Sequence, residues 1–214
     1  MQAAKTTSIS PLISLLNEDV PLTNQQCRLL SASLRAFSER GYLSTSVSMI
    51  VSKAHTSKST FYKHYKNKES ILIHLFELLS TALIRKVEEV LQALPPTSKR
   101  TFQAIKTFID TCFTYRDAAK LLMVDTVGLV PTLEKKRQAV IDQFASIIQR
   151  ELSSLTDHRL TKEQWILSHA MVGAINQIVI RSLLEEELPS TTELASVLEK
   201  MMSKLLREKT GFDG

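Results

Sequence analysis

The stretch from Ser46 to Lys68 reads S-V-S-M-I-V-S-K-A-H-T-S-K-S-T-F-Y-K-H-Y-K-N-K, and it narrows the fold more than any other part of the chain. Val47, Ile50, Val51 and Ala54 fall on one face of a short helix that starts after Thr45 or Ser46. His55-Thr56 reads as a tight turn, and a second short helix runs from about Ser57 to Tyr65. Two short helices joined by such a turn make a helix-turn-helix, in which the second helix is the one that enters a major groove.

The flanking sequence is helical as well. Thr23 and Asn24 are good N-cap types for a helix with Leu30, Leu34 and Phe37 on its apolar face, stopped by Gly41. A long helix is expected from Lys68 to Leu94, closed by Pro95-Pro96. Ser98 opens another, with Phe102, Ile105, Phe108, Ile109, Cys112 and Phe113 on one side. Gly128 and Pro131 interrupt the pattern, and further helices follow over about 133–155, 162–187 and 192–207. With five glycines and six prolines in 214 residues and no credible strand, the expected class is all-α. Three parts follow: a Ser-, Thr- and Pro-containing flexible arm over 1–22, a DNA-binding lobe over 23–68, and a regulatory region over 69–214. Ile9, Leu12, Ile13 and Leu16 keep helical spacing, so a short packed helix is the alternative within the arm.

Charge separates the lobes. Between Thr23 and Lys68 stand Arg28, Arg35, Arg40, Lys53, Lys58, Lys63, Lys66 and Lys68 against Glu39 alone, a surplus of seven on a chain whose net charge is +5. The segments before and after are each balanced to within one charge. A local basic patch on an otherwise neutral chain suits a polyanion such as double-stranded DNA. Cys27 and Cys112 are isolated from each other and from any histidine cluster, which fits a reduced, cytoplasmic setting and neither a disulfide nor a zinc site. The first twenty residues lack the basic start and apolar run of a signal peptide, and no uninterrupted apolar run reaches the roughly 18 residues that span a bilayer. No membrane association and no cofactor are expected.

Phe61 and Tyr65, four apart, share the inward face of the second short helix and pack toward Leu34, Phe37 and Ile50. Lys58, Ser59, Tyr62 and Lys63 are thereby turned outward, with Thr60 and His64 at the margins. Outward Lys and Ser suit base edges, whereas the Tyr62 hydroxyl, His64 and Lys68 suit phosphate oxygens. Thr45 and Ser46 are expected to offer backbone N–H groups and hydroxyls to another phosphate.

Three pieces of sequence carry a family resemblance. F-S-E-R-G-Y (Phe37 to Tyr42), T-S-V-S-M-I (Thr45 to Ile50) and S-K-S-T-F-Y-K-H-Y-K-N-K-E (Ser57 to Glu69) occur in the order and spacing of TetR/AcrR-type regulators. The last resembles that family's S-K-G-T-L-Y-x-Y-F-x-x-K-E run. The resemblance implies that Lys58, Ser59, Thr60, Tyr62, Lys63, His64 and Lys68 face DNA. It also implies a homodimer built from the last two helices and a ligand pocket in the C-terminal lobe. His55-Thr56 departs from the family's usual Gly-Val turn, yet His tolerates φ > 0. Ser59 stands where Gly is common.

His55, His64, His74, His158 and His169 show no ligand spacing, and the chain lacks a nucleophile elbow or triad signature, so neither a metal site nor an enzyme is expected. Phe108, Cys112, Tyr115, Met123, Trp165, His169 and Asn176 mix aromatic, soft and polar groups along apolar helices, as the walls of an effector cavity do, although ordinary core or interface packing is the simpler account of each. The stretch from Trp165 to Leu184 is apolar nearly all round and must be covered on more than one side. Met171, Ala174 and Ile178, with Val197, Met201 and Leu205 on the last helix, would make a four-helix interface between two copies. The function expected is that of a ligand-responsive repressor on a pseudo-palindromic operator. The alternatives are an activator or co-activator of the same kind, or a helical module that docks its basic lobe on an acidic protein.

Overall fold

The computed structural model describes residues 9–18, 21–155, 162–185, 187 and 189–210, and every regular element among them is helical. In chain order these are α1 (Ile9–Asn17), α2 (Asn24–Arg40), α3 (Val47–Lys53), α4 (Lys58–His64), α5 (Lys68–Ala93), α6 (Ser98–Thr114), α7 (Arg116–Lys120), a π-helical turn (Leu121–Asp125), α8 (Pro131–Leu155), α9 (Lys162–Leu184) and α10 (Thr191–Thr210). Two compact units result: residues 1–82 with 114–134, and residues 83–113 with 135–214. Residues 69–82 and 114–134, expected in the regulatory region, thus group with the amino-terminal lobe, and α5 contributes to both units.

In the first unit α2 packs against α1, α3, α4, α7 and the π-helical turn. Local sequence explains its limits. Thr23 and Gln26 form a reciprocal capping box, the Thr23 hydroxyl accepting from the Gln26 N–H at 3.3 Å and the Gln26 side chain accepting from the Thr23 N–H at 3.0 Å. At the other end Gly41 takes φ 78°, where a side chain is strained, and its N–H donates to Phe37 O. Leu29, Leu30, Phe37, Ile50, Phe61, Ile71, Leu72 and Leu75 are fully or almost fully buried and form the core that fixes α3 and α4. Of the two readings of residues 1–22, the helical one holds where the chain is described: Leu12, Leu15 and Leu16 of α1 are buried, which a mobile arm would not allow.

In the second unit Leu152, Met171 and Met202 form a buried cluster flanked by Ile148 and Leu167. The Arg100 guanidinium lies 2.8 Å from the Glu151 carboxylate, and both side chains are almost buried. By length and composition α9 is apolar enough to cross a membrane, and 33% of its most apolar stretch is buried within the chain.

Candidate nucleic-acid interface

The α3–α4 turn is built around one strained residue and one arginine. His55 adopts φ 48° and is the non-glycine residue with positive φ among those described. Its N–H donates to Ser52 O, and the Thr56 N–H donates to Val51 O at 3.0 Å, closing the end of α3. From α2, Arg28 spans the turn: Nε donates to the Ala54 carbonyl at 3.0 Å, and Nη2 donates to both the Ala54 and His55 carbonyls. Sequence reasoning counted Arg28 as patch charge and missed this role. An arginine's reach across 26 residues leaves no local pattern.

Helix α4 starts at Ser57, whose hydroxyl accepts from the Thr60 N–H at 3.0 Å. Phe61 is fully buried and Tyr65 is 6% exposed, their rings 5.8 Å apart. That anchor turns Lys58, Ser59, Tyr62 and Lys63 to solvent on one side, as the spacing requires. Tyr62 is 56% exposed, and its ring meets the Phe61 ring edge-on at 5.5 Å, which steadies an outward aromatic.

The remaining sequence-derived positions separate into those at this face and those with other duties. Ser46 is the exposed N-cap of α3, its hydroxyl accepting from the Met49 N–H at 3.3 Å. Thr60 is half-buried and bonded to Ser57, and His64 Nε2 donates to Gln25 Oε1 at 3.0 Å, tying α4 to α2. Thr45 is a correction. It is 2% exposed, its hydroxyl lies 2.8 Å from Gly41 O and 3.1 Å from Ala36 O, and its N–H donates to Tyr42 O. Neither group points to a phosphate, because the carbonyls at the end of α2 take the hydroxyl and that of Tyr42, just beyond it, takes the N–H.

Lys68 is likewise engaged within the lobe. Nζ donates to Tyr42 O at 2.7 Å and Leu43 O at 3.2 Å and sits 4.4 Å from the centre of the Tyr42 ring, and burial lowers its pKa. Lys53 pairs with Glu39 at 2.8 Å. The cations exposed on the face of α4 are therefore Lys58 and Lys63.

A polar contact fixes the far end of α4. The Tyr65 hydroxyl and His74 Nδ1 of α5 are 2.9 Å apart, and burial pushes the Tyr65 pKa well up. Burial also lowers the pKa of His74, against a smaller opposing effect of Glu77. A histidine whose folded pKa is depressed binds fewer protons folded than unfolded, so its contribution to stability is present above the ordinary value of 6.5 and is lost as pH falls below it. Urea unfolding monitored at falling pH is expected to show the first unit weakening through that range, and His74→Gln is expected to flatten the dependence.

The second unit contains an apolar cleft of about 590 Å³ counting its open mouth. Phe108 and Asn176 line it, as the sequence reading expected of effector contacts. Cys112 does not line it; it is 2% exposed in the core, with a thiol pKa pushed up to about 12 by burial. Tyr115 and Met123 belong to the first unit. Trp165 is 55% exposed, its ring centre 4.3 Å from that of His169 with the two planes tilted by 37°, and His169 donates from Nδ1 to Trp165 O. Plain aliphatics such as Leu91, Ile105, Ile148 and Ile175 supply most of the wall, and nothing in their spacing marks them off from core residues.

Of the residues proposed to meet a second copy, Met171 is 1% exposed inside the core cluster and is removed from the set, since the chain's own α8 and α10 cover it. Ala174 and Ile178 are half-buried, and Val197 and Met201 are 59% and 39% exposed. The Leu205 side chain and His158 lie outside the described residues. Ile166 and Leu184 of α9 are exposed apolar residues that the sequence reading did not single out.

Comparison with known proteins follows the same division. Residues 29–75 match the family described as bacterial regulatory proteins, tetR family. An uncharacterized HTH-type transcriptional regulator of Bacillus subtilis, YhgD, is 21% identical over 130 residues, 59% of this chain and 68% of that protein. The fatty acid degradation regulator FadR of Bacillus halodurans superposes with a TM-score of 0.74 at 16% identity, over 85% of this chain and 95% of that one. FadR of Bacillus subtilis in complex with stearoyl-CoA superposes with a TM-score of 0.69 at 18% identity, over 82% and 96%. At these identities the structural likeness is one of fold.

Proposed function

We propose that this member of the TetR family of transcriptional regulators is a sequence-specific repressor that binds a pseudo-palindromic operator as a homodimer and is released by a small molecule held in the cleft of its second unit. The observation that carries the reading is the exposed face of α4, where Lys58, Ser59, Tyr62 and Lys63 stand together on a helix anchored by buried Phe61. Lys and Ser at that face have the donors that base edges accept, and Ser46 at the start of α3 lies among the groups suited to backbone contact.

The dimer is supported by exposed apolar area. Trp165, Ile166 and Leu184 of α9 and Val197 and Met201 of α10 are large, apolar and 39% exposed or more. A second copy covering them with the same surface is the economical arrangement. The small molecule is supported by the cleft, whose wall is almost wholly apolar with Thr101, Glu151 and Asn176 among its residues. Its influence on operator affinity is set by its preference for one conformation over another. Stearoyl-CoA, named for the Bacillus subtilis FadR complex, is one kind of ligand such a fold holds.

Gel shifts against fragments of the source genome test the reading. Affinity is expected to fall steeply with added salt, because bound phosphates release counterions. Lys58→Ala or Lys63→Ala is expected to cost about 1–3 kcal/mol and to change sequence preference. A salt-insensitive complex, or variants that bind as the parent does, would remove α4 from the interface.

A further inference from the structure

We infer that Arg28 is a positioning residue for operator recognition: by holding the carbonyls of Ala54 and His55 it keeps a histidine in the left-handed turn that aims α4, without touching DNA itself. This rests on the reading of α4 as the surface that meets the duplex. His55 takes φ 48°, a region that glycine enters freely and other residues enter only at a cost. Such a conformation persists where its surroundings fix it. The imidazole is exposed, so side-chain packing does not supply that restraint, and it lies on the main chain instead.

The N–H side of the turn is closed within α3, where His55 N–H donates to Ser52 O at 3.1 Å and Thr56 N–H to Val51 O at 3.0 Å. The carbonyl side is closed from α2. Arg28 Nε and Nη2 reach Ala54 O at 3.0 and 2.6 Å, and Nη2 also reaches His55 O. Those two carbonyls belong to the peptide planes on either side of the His55 Cα, so their mutual angle is set by the φ and ψ of His55. A planar guanidinium presents its N–H groups in a fixed fork, and gripping both carbonyls therefore fixes that dihedral pair. Ser57, the N-cap of α4, follows two residues later. The seven residues of α4 span about 10 Å, so a swing of about 10° at its start moves its far end by about 2 Å. Base-edge hydrogen bonds tolerate about 0.5 Å, whereas the electrostatic attraction of the phosphates is independent of sequence and survives such a shift.

Fluorescence anisotropy on the full chain, with a duplex selected by the parent and a scrambled duplex over a salt series, tests the coupling. Arg28→Met is expected to lose about tenfold or more in affinity for the selected duplex and no more than about twofold for the scrambled one, with its salt dependence unchanged. His55→Gly is expected to bind the selected duplex within about twofold of the parent, because glycine holds the turn unaided. Arg28→Met/His55→Gly is expected to stay within about threefold of His55→Gly, a non-additive rescue. Those last two variants decide the matter even where Arg28→Met alone does not fold. A double variant about tenfold weaker than His55→Gly overturns the proposal, as does an equal loss from Arg28→Met on both duplexes with a shallower salt dependence, which would put Arg28 on a phosphate. Lys58→Ala binding as the parent does is a separate result, which would remove α4 from the interface and this role of Arg28 with it.

Discussion

Phe61→Ala is expected to destabilise the first unit by about 3–5 kcal/mol and to abolish DNA binding, while Tyr62→Ala one position along is expected to move stability by no more than about 0.5 kcal/mol. The contrast follows from which way each ring points. Phe61 is fully buried, so truncation leaves a cavity where α4 meets the core, and a short helix depends on tertiary packing for its stability. Tyr62 is 56% exposed, and its removal takes away a surface contact only. In DNA titrations Tyr62→Ala is nevertheless expected to lose about tenfold in affinity, because an outward hydroxyl on this face serves the duplex and not the fold. Chemical unfolding and fluorescence anisotropy on the same two variants check both halves. Equal loss of stability in the two would show that α4 is not anchored by Phe61 as described.

Arg100→Met is expected to cost about 3–5 kcal/mol, because it takes away the guanidinium that lies 2.8 Å from the nearly buried Glu151 carboxylate in the second unit. Both side chains of the pair are less than 15% exposed, 11% and 13%, so solvent screening offers little relief. The double variant Arg100→Met/Glu151→Met is expected to recover most of that loss, since two well-packed thioethers replace two charges whose desolvation their attraction does little more than repay. Urea midpoints for the single and double variants form a coupling cycle. Additive losses would mean that the two charges stabilise the unit through other partners and not through each other.

The amino-terminal lobe was legible in the sequence because its information is local. Capping residues Thr23, Ser46 and Ser57, the stop at Gly41 and the four-residue spacing of Phe61 and Tyr65 each act within a turn or two of helix, and the elements fall within a residue or two of where they were expected. Even the positive φ at His55 was anticipated from its place in a turn. The errors there came from long-range use of polar groups. Thr45 and Lys68 read as outward donors until the carbonyls at and beyond the end of α2 are seen to take them. Counting positive charge overstated the patch for the same reason, since Arg28, Lys53 and Lys68 all have partners within the lobe.

The second unit was legible only as helices. Aromatic and polar residues were selected as cavity candidates, but a cleft is a packing defect between elements, and its wall here is made of the commonest core residues. Met171 and Met201 illustrate the same limit: both are apolar residues on the last two helices, yet one is 1% exposed and the other 39%. The difference depends on which neighbour covers each, and periodicity does not carry that information.

A photo-crosslinking side chain at Ser59 tests the assignment of α4 most directly, with the same group at Lys120, exposed on α7 of the same unit, as its comparison. After irradiation with a duplex selected by the unmodified chain, the Ser59 variant is expected to form adducts with bases inside the bound site, and the Lys120 variant none. Adducts from Lys120 with none from Ser59 would contradict α4 as the surface that reads DNA.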